Sequence, residues 1–309
     1  MVAGPSERRV TVTHLDVFVR SPGGGNPCPI VTDGAGLSAT QMQAIAARFG
    51  EETGFVVRDV DGGLRLRFFV PRHEMAMCVH ATVAAVSVLV DAGAIDGGEL
   101  TVRTASGPCR VRWEDSRSVT VEQQPPKFGA AAPVGRRIEE ASGLRTGAVD
   151  ERLPIRSVSV SRAKLIVPLR DAADVHAADP ALDRLWAVCR EVDTTGAYLF
   201  APHPDGRADH VVARQFPVDA GFPEDPATGV AAGALAAYLV DVARPSEPGW
   251  QGVEIDQGDA MGRPSTLYAS AFADRDGVYR STVTGRATVR GQEELIVPPG
   301  AAAGDAELR

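Results

Sequence analysis

The feature that most constrains the fold of this 309-residue chain is a unit that occurs twice. The first copy reads Arg67-Phe68-Phe69-Val70-Pro71, then a short polar loop, then Met77-Cys78-Val79-His80-Ala81-Thr82-Val83-Ala84-Ala85 running on to Val90. The second reads Arg214-Gln215-Phe216-Pro217, a loop, then Asp225-Pro226-Ala227-Thr228-Gly229-Val230-Ala231-Ala232 running on to Val242. In each, a strand closes on an aromatic residue and a proline, and a helix of small apolar residues follows. The copies lie roughly half a chain apart, a spacing that points to an internal duplication and not to a short-period solenoid. In the second copy Pro226 suits the first helical turn, Asp225 or Thr228 can cap it, and Gly229 lets a ligand approach the backbone. Two such helix starts facing one another would offer N–H groups and positive dipole ends to an anion held between them.

The remaining elements read in order. Residues 9–19 alternate as a strand, a glycine-rich loop follows at 21–27, and a short strand at 29–32. Ser38 caps a helix to about 49, with Met42, Ile45, Ala46 and Phe49 on one face. Strands at 53–60 and 64–70 flank the turn Asp61-Gly62-Gly63, and strands at 100–104, 109–113 and 119–123 follow the first unit. Residues 124–150 carry prolines, alanines and glycines with no sustained strand pattern, and read as a connection holding a short helix at 134–142. Beyond it come strands at 157–160 and 165–169, a helix at 180–191, strands at 196–201 and 210–216, and the second unit. Four strands close the chain, at 252–258, 266–272, 278–284 and 286–290, and the polar tail 298–309 is expected to fray. The expected organisation is a first half over 1–124, a connection over 125–150 and a second half over 151–285, with a last strand near 286–299 returning to the first half.

A net charge of −8 gives no basic footprint for nucleic acid or an anionic membrane surface, and the longest apolar runs are too short to span a bilayer. Residues 1–9 contain no apolar run of the kind a secretory leader carries, and Cys28, Cys78, Cys109 and Cys189 lack C-x-x-C spacing. A cytoplasmic protein without a zinc site is expected. His73-Glu74-Met75-Ala76-Met77 puts methionine where a metalloprotease helix needs its second histidine. There is no G-x-S-x-G, no G-x-G-x-x-G and no phosphate loop.

Two places have chemistry in them. Glu51 and Glu52 stand where the first helix ends and a strand begins, a position that disfavours a carboxylate. Shielding by Phe55 would raise the pKa of one of them toward that of a general acid/base; a solvated helix end is the alternative. Cys78 and His80 open the first duplicated helix. A histidine there is held neutral, able to accept or pass a proton, and a cysteine there has its thiol pKa lowered; packed, inert side chains are the alternative.

Taken together, Gly25-Asn26-Pro27, Leu37-Ser38 with Gln41-Met42-Gln43, Glu52-Thr53-x-Phe55-Val56, Cys78-x-His80-Ala81-Thr82, Glu224-Asp225-Pro226-Ala227-Thr228-Gly229 and Gln257-Gly258-x-x-Met261-Gly262-Arg263-Pro264-Ser265 fall in an order that resembles the PhzF-like phenazine-biosynthesis isomerases, relatives of diaminopimelate epimerase and proline racemase. The resemblance runs from about residue 10 to 297. It implies an α+β fold of two pseudo-symmetric halves, each a curved, mostly antiparallel sheet wrapped around a central helix, with the active site between them. It also implies proton transfer without cofactor or metal, and a homodimer. Glu52 matches the catalytic glutamate, and His80 and Asp225 match its supporting acid/base and hydrogen-bonding groups. Asn26, Cys78, Val79, Thr228, Gly229 and Val230 match positions around the substrate, a small carboxylate.

Three departures accompany the match. Racemases of the superfamily use one cysteine from each half; Cys78 fills the first place and Pro226 stands at the second. Val79 replaces a glycine and Val230 a serine that lies beside the substrate in phenazine enzymes, which changes the pocket the phenazine precursor would enter. The expected activity is an isomerase that shifts a double bond in an amino-acid-derived carboxylate. The alternatives are an epimerase acting through Cys78 and a binding protein that has lost turnover.

Overall fold

The computed structural model describes residues 8–59, 61–243 and 248–298. The tail expected to fray lies, from residue 299 on, outside them. The first half contains β1 (Arg8–Val17), β2 (Asn26–Val31), α1 (Ala39–Phe49), β3 (Thr53–Arg58), β4 (Leu64–Phe69), β5 (Glu74–Met75), α2 (Val79–Asp91), β6 (Glu99–Thr104), β7 (Gly107–Asp115) and β8 (Ser118–Glu122). There follow β9 (Lys127–Ala131), α3 (Gly135–Ala141), β10 (Arg156–Ser159), β11 (Ala163–Pro168), α4 (Ala172–Ala177), α5 (Leu182–Glu191), β12 (Gly196–Pro202), β13 (His210–Pro217) and α6 (Gly229–Ala243). The chain closes with β14 (Gly249–Gln257), β15 (Ser265–Asp274), β16 (Gly277–Gly285) and β17 (Ala287–Val297).

Strand pairing repeats the duplication in three dimensions. Reading across one ladder gives β17, β1, β2, β3, β4, β6, β7, β8, with neighbours antiparallel except for the parallel pairs β2–β3 and β4–β6. Reading across the other gives β9 to β16 in chain order, antiparallel except for β11–β12 and β13–β14. The parallel pairs fall at the same two places in each ladder. Each needs a crossover, and helices supply it: α1 and α2 in the first ladder, α4 with α5 and then α6 in the second. The ladders join side by side at β8 and β16. This is an α+β fold, as the sequence implied.

Local chemistry explains the helix ends. Ser38 and Gln41 form a reciprocal capping box at the start of α1, and Gly50 closes it with a left-handed φ of 69°. Helices α2 and α6 are buried on nearly every side, and α2 is rich in valine, a poor helix former. Their stability comes from packing inside the curved sheets. One core cluster holds both helices together with the inner faces of both ladders, while separate clusters lie under α1 and under α3, α4 and α5.

Three local expectations change. The connecting region 124–150 carries a true strand, β9, whose partner is β10; Phe128 and its neighbours follow a pattern too short to stand out alone. Helix α6 starts at Gly229, so Pro226 precedes it by a full turn and closes the loop instead of opening the helix. The elements β5 and α4, only 2 and 6 residues long, left no periodic signal in the sequence.

Candidate active site

The two central helices meet at their N-termini. Gly229, the first residue of α6, packs on Val79, the first of α2, so closely that a Cβ on Gly229 would sit 2.5 Å from the Val79 Cβ. The cavity at this junction is lined by Glu52, Cys78, Val79, His80, Asp225, Thr228, Gly229 and Val230. Glu52 comes from the turn between α1 and β3, Cys78 and His80 from the start of α2, and Asp225 from the loop before α6.

Their contacts set their states. Cys78 Sγ donates to Glu52 Oε2 at 3.1 Å, and His80 Nε2 lies 3.4 Å from the same oxygen. Glu52 Oε1 has no hydrogen-bond partner among the described residues. Burial raises the Glu52 pKa, with the Cys78 bond acting against it. Asp225 is held on both oxygens: Asn26 Nδ2 donates to Oδ1 at 2.6 Å and Thr228 Oγ1 to Oδ2 at 2.6 Å. Burial, then the negative charge of Glu52, pushes Asp225 up to about 6. His80 is driven down to about 4 by burial, against the pull of Asp225, and is therefore neutral near pH 7. Burial is the main cause of that neutrality.

Cys78 departs from its expected state. Its thiol pKa is raised well above the ordinary value, by burial first and then by Glu52. The helix start does engage the sulfur, which accepts from the Ala81 amide at 3.4 Å, but the cost of burying a thiolate beside a carboxylate outweighs it. Of the two adjacent glutamates, Glu51 turns away toward Arg290, whose Nη2 lies 3.8 Å from its Oε2, so Glu52 alone reaches the cavity.

Asn26 stands behind the wall, not on it. Its amide donates to Asp225 Oδ1 and to the Ala227 carbonyl at 2.8 Å, so it orients Asp225 and holds the loop before α6. Gln257 does similar work from β14, donating to the Asp225 carbonyl at 2.6 Å while the Tyr198 hydroxyl donates to its Oε1 at 3.0 Å. Glu224, beside Asp225 in sequence, points the other way into a buried two-pronged pair with Arg214 at 2.8 and 2.7 Å. Arg214 also donates to the carbonyls of Val175, His176 and Ala178, which anchors the loop. The cavity wall also carries His73, Arg162, Lys164 and Gln215, which no motif in the sequence marks as site residues. Lys164 had left a signal, a lone lysine leading into the apolar run Leu165-Ile166-Val167.

Residues 15–292 match the family model described as phenazine biosynthesis-like protein. The chain belongs to that family. It is 36% identical over 263 residues to an uncharacterized isomerase of Deinococcus radiodurans, covering 82% of this chain and 84% of the relative. It is 30% identical over 287 residues to the trans-2,3-dihydro-3-hydroxyanthranilate isomerase of Pseudomonas chlororaphis, covering 92% and 98% of the two. The crystal structure of a PhzF-family phenazine biosynthesis protein from Bacillus anthracis superposes with a TM-score of 0.85 at 26% identity, over 94% of this chain and 100% of that one. The chain is an enzyme of this isomerase family, and the cavity between α2 and α6 is its candidate active site.

Proposed function

We propose that the enzyme moves a proton between two carbons of a small unsaturated, amino-acid-derived carboxylate, shifting its double bond. The observation that carries this reading is the one cavity that Glu52, with an oxygen unpaired among the described residues, shares with the starts of α2 and α6, with neutral His80 and a doubly held Asp225 beside it. Glu52 Oε1 takes the proton from one carbon. The electron pair left behind spreads into the conjugated system, where the N–H groups and positive ends of α2 and α6 stabilise the developing charge. Glu52 then returns the proton to the far carbon, so none is gained or lost overall and the double bond has moved. Neutral His80 donates or accepts a hydrogen bond at the substrate's polar groups, while Asp225, pinned by Asn26 and Thr228, orients them.

Support for the substrate class comes from the Pseudomonas chlororaphis relative, whose name states an isomerisation of a hydroxylated dihydroanthranilate. Val79 and Val230 put branched apolar side chains on the wall here, so the pocket favours a related acid of different shape. An epimerase acting through Cys78 is disfavoured by the thiol's raised pKa and by Pro226 in the second half. The test is deuterium incorporation from heavy water into candidate unsaturated amino acids. Glu52→Gln should abolish it, on the order of 100-fold or more as for loss of a general base, while binding persists; retained incorporation removes Glu52 from the role.

A further inference from the structure

Three polar groups on the cavity wall take no part in this proton transfer and have few or no partners among the described residues. Lys164, on β11, is 3% exposed, and its ammonium makes no hydrogen bond or ion pair among the described residues. Arg162, at the turn between β10 and β11, has one partner among the described residues, the Met75 thioether sulfur at 3.3 Å. Gln215, on β13, is wholly buried, with neither amide atom hydrogen-bonded among the described residues. Strand β12 runs between β11 and β13, and there Gly196 leaves room for the amide: a Cβ would lie 2.5 Å from Gln215 Nε2.

Folded chains do not leave such groups alone without reason. A buried ammonium and a buried amide both cost stability unless something bonds to them. Among the described residues the polypeptide gives Lys164 and Gln215 no hydrogen-bond partner, and all three groups line the cavity a substrate must occupy. Their chemistry specifies the missing partner: two cations and an amide N–H call for a two-oxygen anion, and the amide oxygen calls for a donor beside it. The helix starts of α2 and α6 open onto the same cavity, and their free N–H groups suit the first carboxylate of the substrate.

We infer that the substrate carries a second acidic group, a carboxylate taken up by Lys164 and Arg162 with Gln215 Nε2 donating to it. The Gln215 oxygen then accepts from an amine or hydroxyl on the same molecule. An unsaturated dicarboxylate with a polar substituent is the class that fits. Burial and Arg162 pull Lys164 down to about 7, so an arriving anion also restores its proton. Glu52 and Asp225 oppose an anion less than two free carboxylates would, because burial raises both. The inference rests on the proposed isomerase only for where the first carboxylate sits.

Calorimetric titration with trans-glutaconate and trans-3-pentenoate tests it, since the second acid has a methyl group in place of one carboxylate. The wild type should bind glutaconate at least about tenfold more tightly, the value of a charge-assisted contact. Arg162→Gln and Lys164→Met should each remove most of that preference and leave pentenoate affinity within about twofold, with melting curves verifying the fold. Equal affinities in the wild type, failure of both acids to bind, or a preference that survives both substitutions would overturn the inference. Glu52→Gln separates the two ideas. A glutaconate preference kept in this variant, with no deuterium exchange in the wild type on any acid, sinks the isomerase reading and leaves the anion subsite standing. Exchange without the preference does the reverse.

Discussion

Glu52 and Asp225 are two carboxyl groups in one hollow, and their surroundings give them different work. Asp225 has both oxygens occupied by Asn26 and Thr228, so it is a fixed acceptor, whereas Glu52 keeps one oxygen free and is the group able to carry a proton. Cys78, 3.1 Å from Glu52, has its thiol pKa raised by burial, which favours the protonated thiol over a nucleophilic thiolate. Cys78→Ala should therefore keep deuterium exchange within about tenfold of the wild type, the loss coming from a misplaced Glu52 and not from missing chemistry; complete loss would restore the epimerase reading. Lys164 makes a second prediction. Its folded pKa of about 7 lies below the ordinary 10.5, so the folded state holds fewer protons between those values. Stability from this group is full above about pH 10.5 and is lost as pH falls through 7. Lys164→Met should melt higher than the wild type at pH 7, and the difference should shrink as pH is raised to 10. A constant difference across that range would mean the amine is not buried and unpaired as described.

At the scale of elements, the contact that defines the site is between the first residues of α2 and α6. Gly229 is required there because Val79 fills the space a side chain would take. Gly229→Ala should destabilise the fold by about 1–3 kcal/mol through overpacking and should push the helix starts apart, reducing activity. Combining it with Val79→Gly should recover part of the loss, with a coupling energy of about 0.5–3 kcal/mol in denaturant titrations, as for residues in contact. Additive effects would show that the two helices are not in van der Waals contact. The loop before α6 owes its shape to the buried Arg214–Glu224 pair, so neighbouring acidic residues serve separate ends, Glu224 structure and Asp225 the cavity.

Across the whole molecule, the two ladders share one core, and the last strand completes the first of them. Strand β17 pairs antiparallel with β1 from Arg8↔Val297 to Val17↔Ala287, although they are at opposite ends of the chain. Ending the chain after Gly285 would strip β1 of a partner and bare Val10 and Val12, which pack with Leu295 and Val297. Such a truncation should give insoluble protein or lose the cooperative melt seen by circular dichroism. A soluble truncation that melts like the wild type would show the returning strand to be dispensable. Arg263 adds a tie across the molecule, donating from the loop before β15 to the Gly25 carbonyl at 2.8 Å and to Asp16 at 2.7 Å.

What the amino-acid order determined was local. The aromatic–proline strand ends, the small-residue helices, the capping box at Ser38 and Gln41, and the motifs containing Glu52, His80 and Asp225 all depend on near neighbours, and their periodicities can be read along the chain. What only the tertiary structure decided was whatever depends on residues far apart in sequence. Asn26 could not be moved behind Asp225 until the fold brought them within 2.6 Å across 199 residues, and Lys164, Arg162 and Gln215 became one group only when β11 and β13 were aligned on either side of β12. The state of Cys78 is the clearest case: its place at a helix start argued for a low thiol pKa, but desolvation by the packed core and the charge of Glu52 reversed the sign. Burial is a property of the assembled molecule, so the ionisation of these groups follows from their three-dimensional neighbours and not from the residues beside them in the chain.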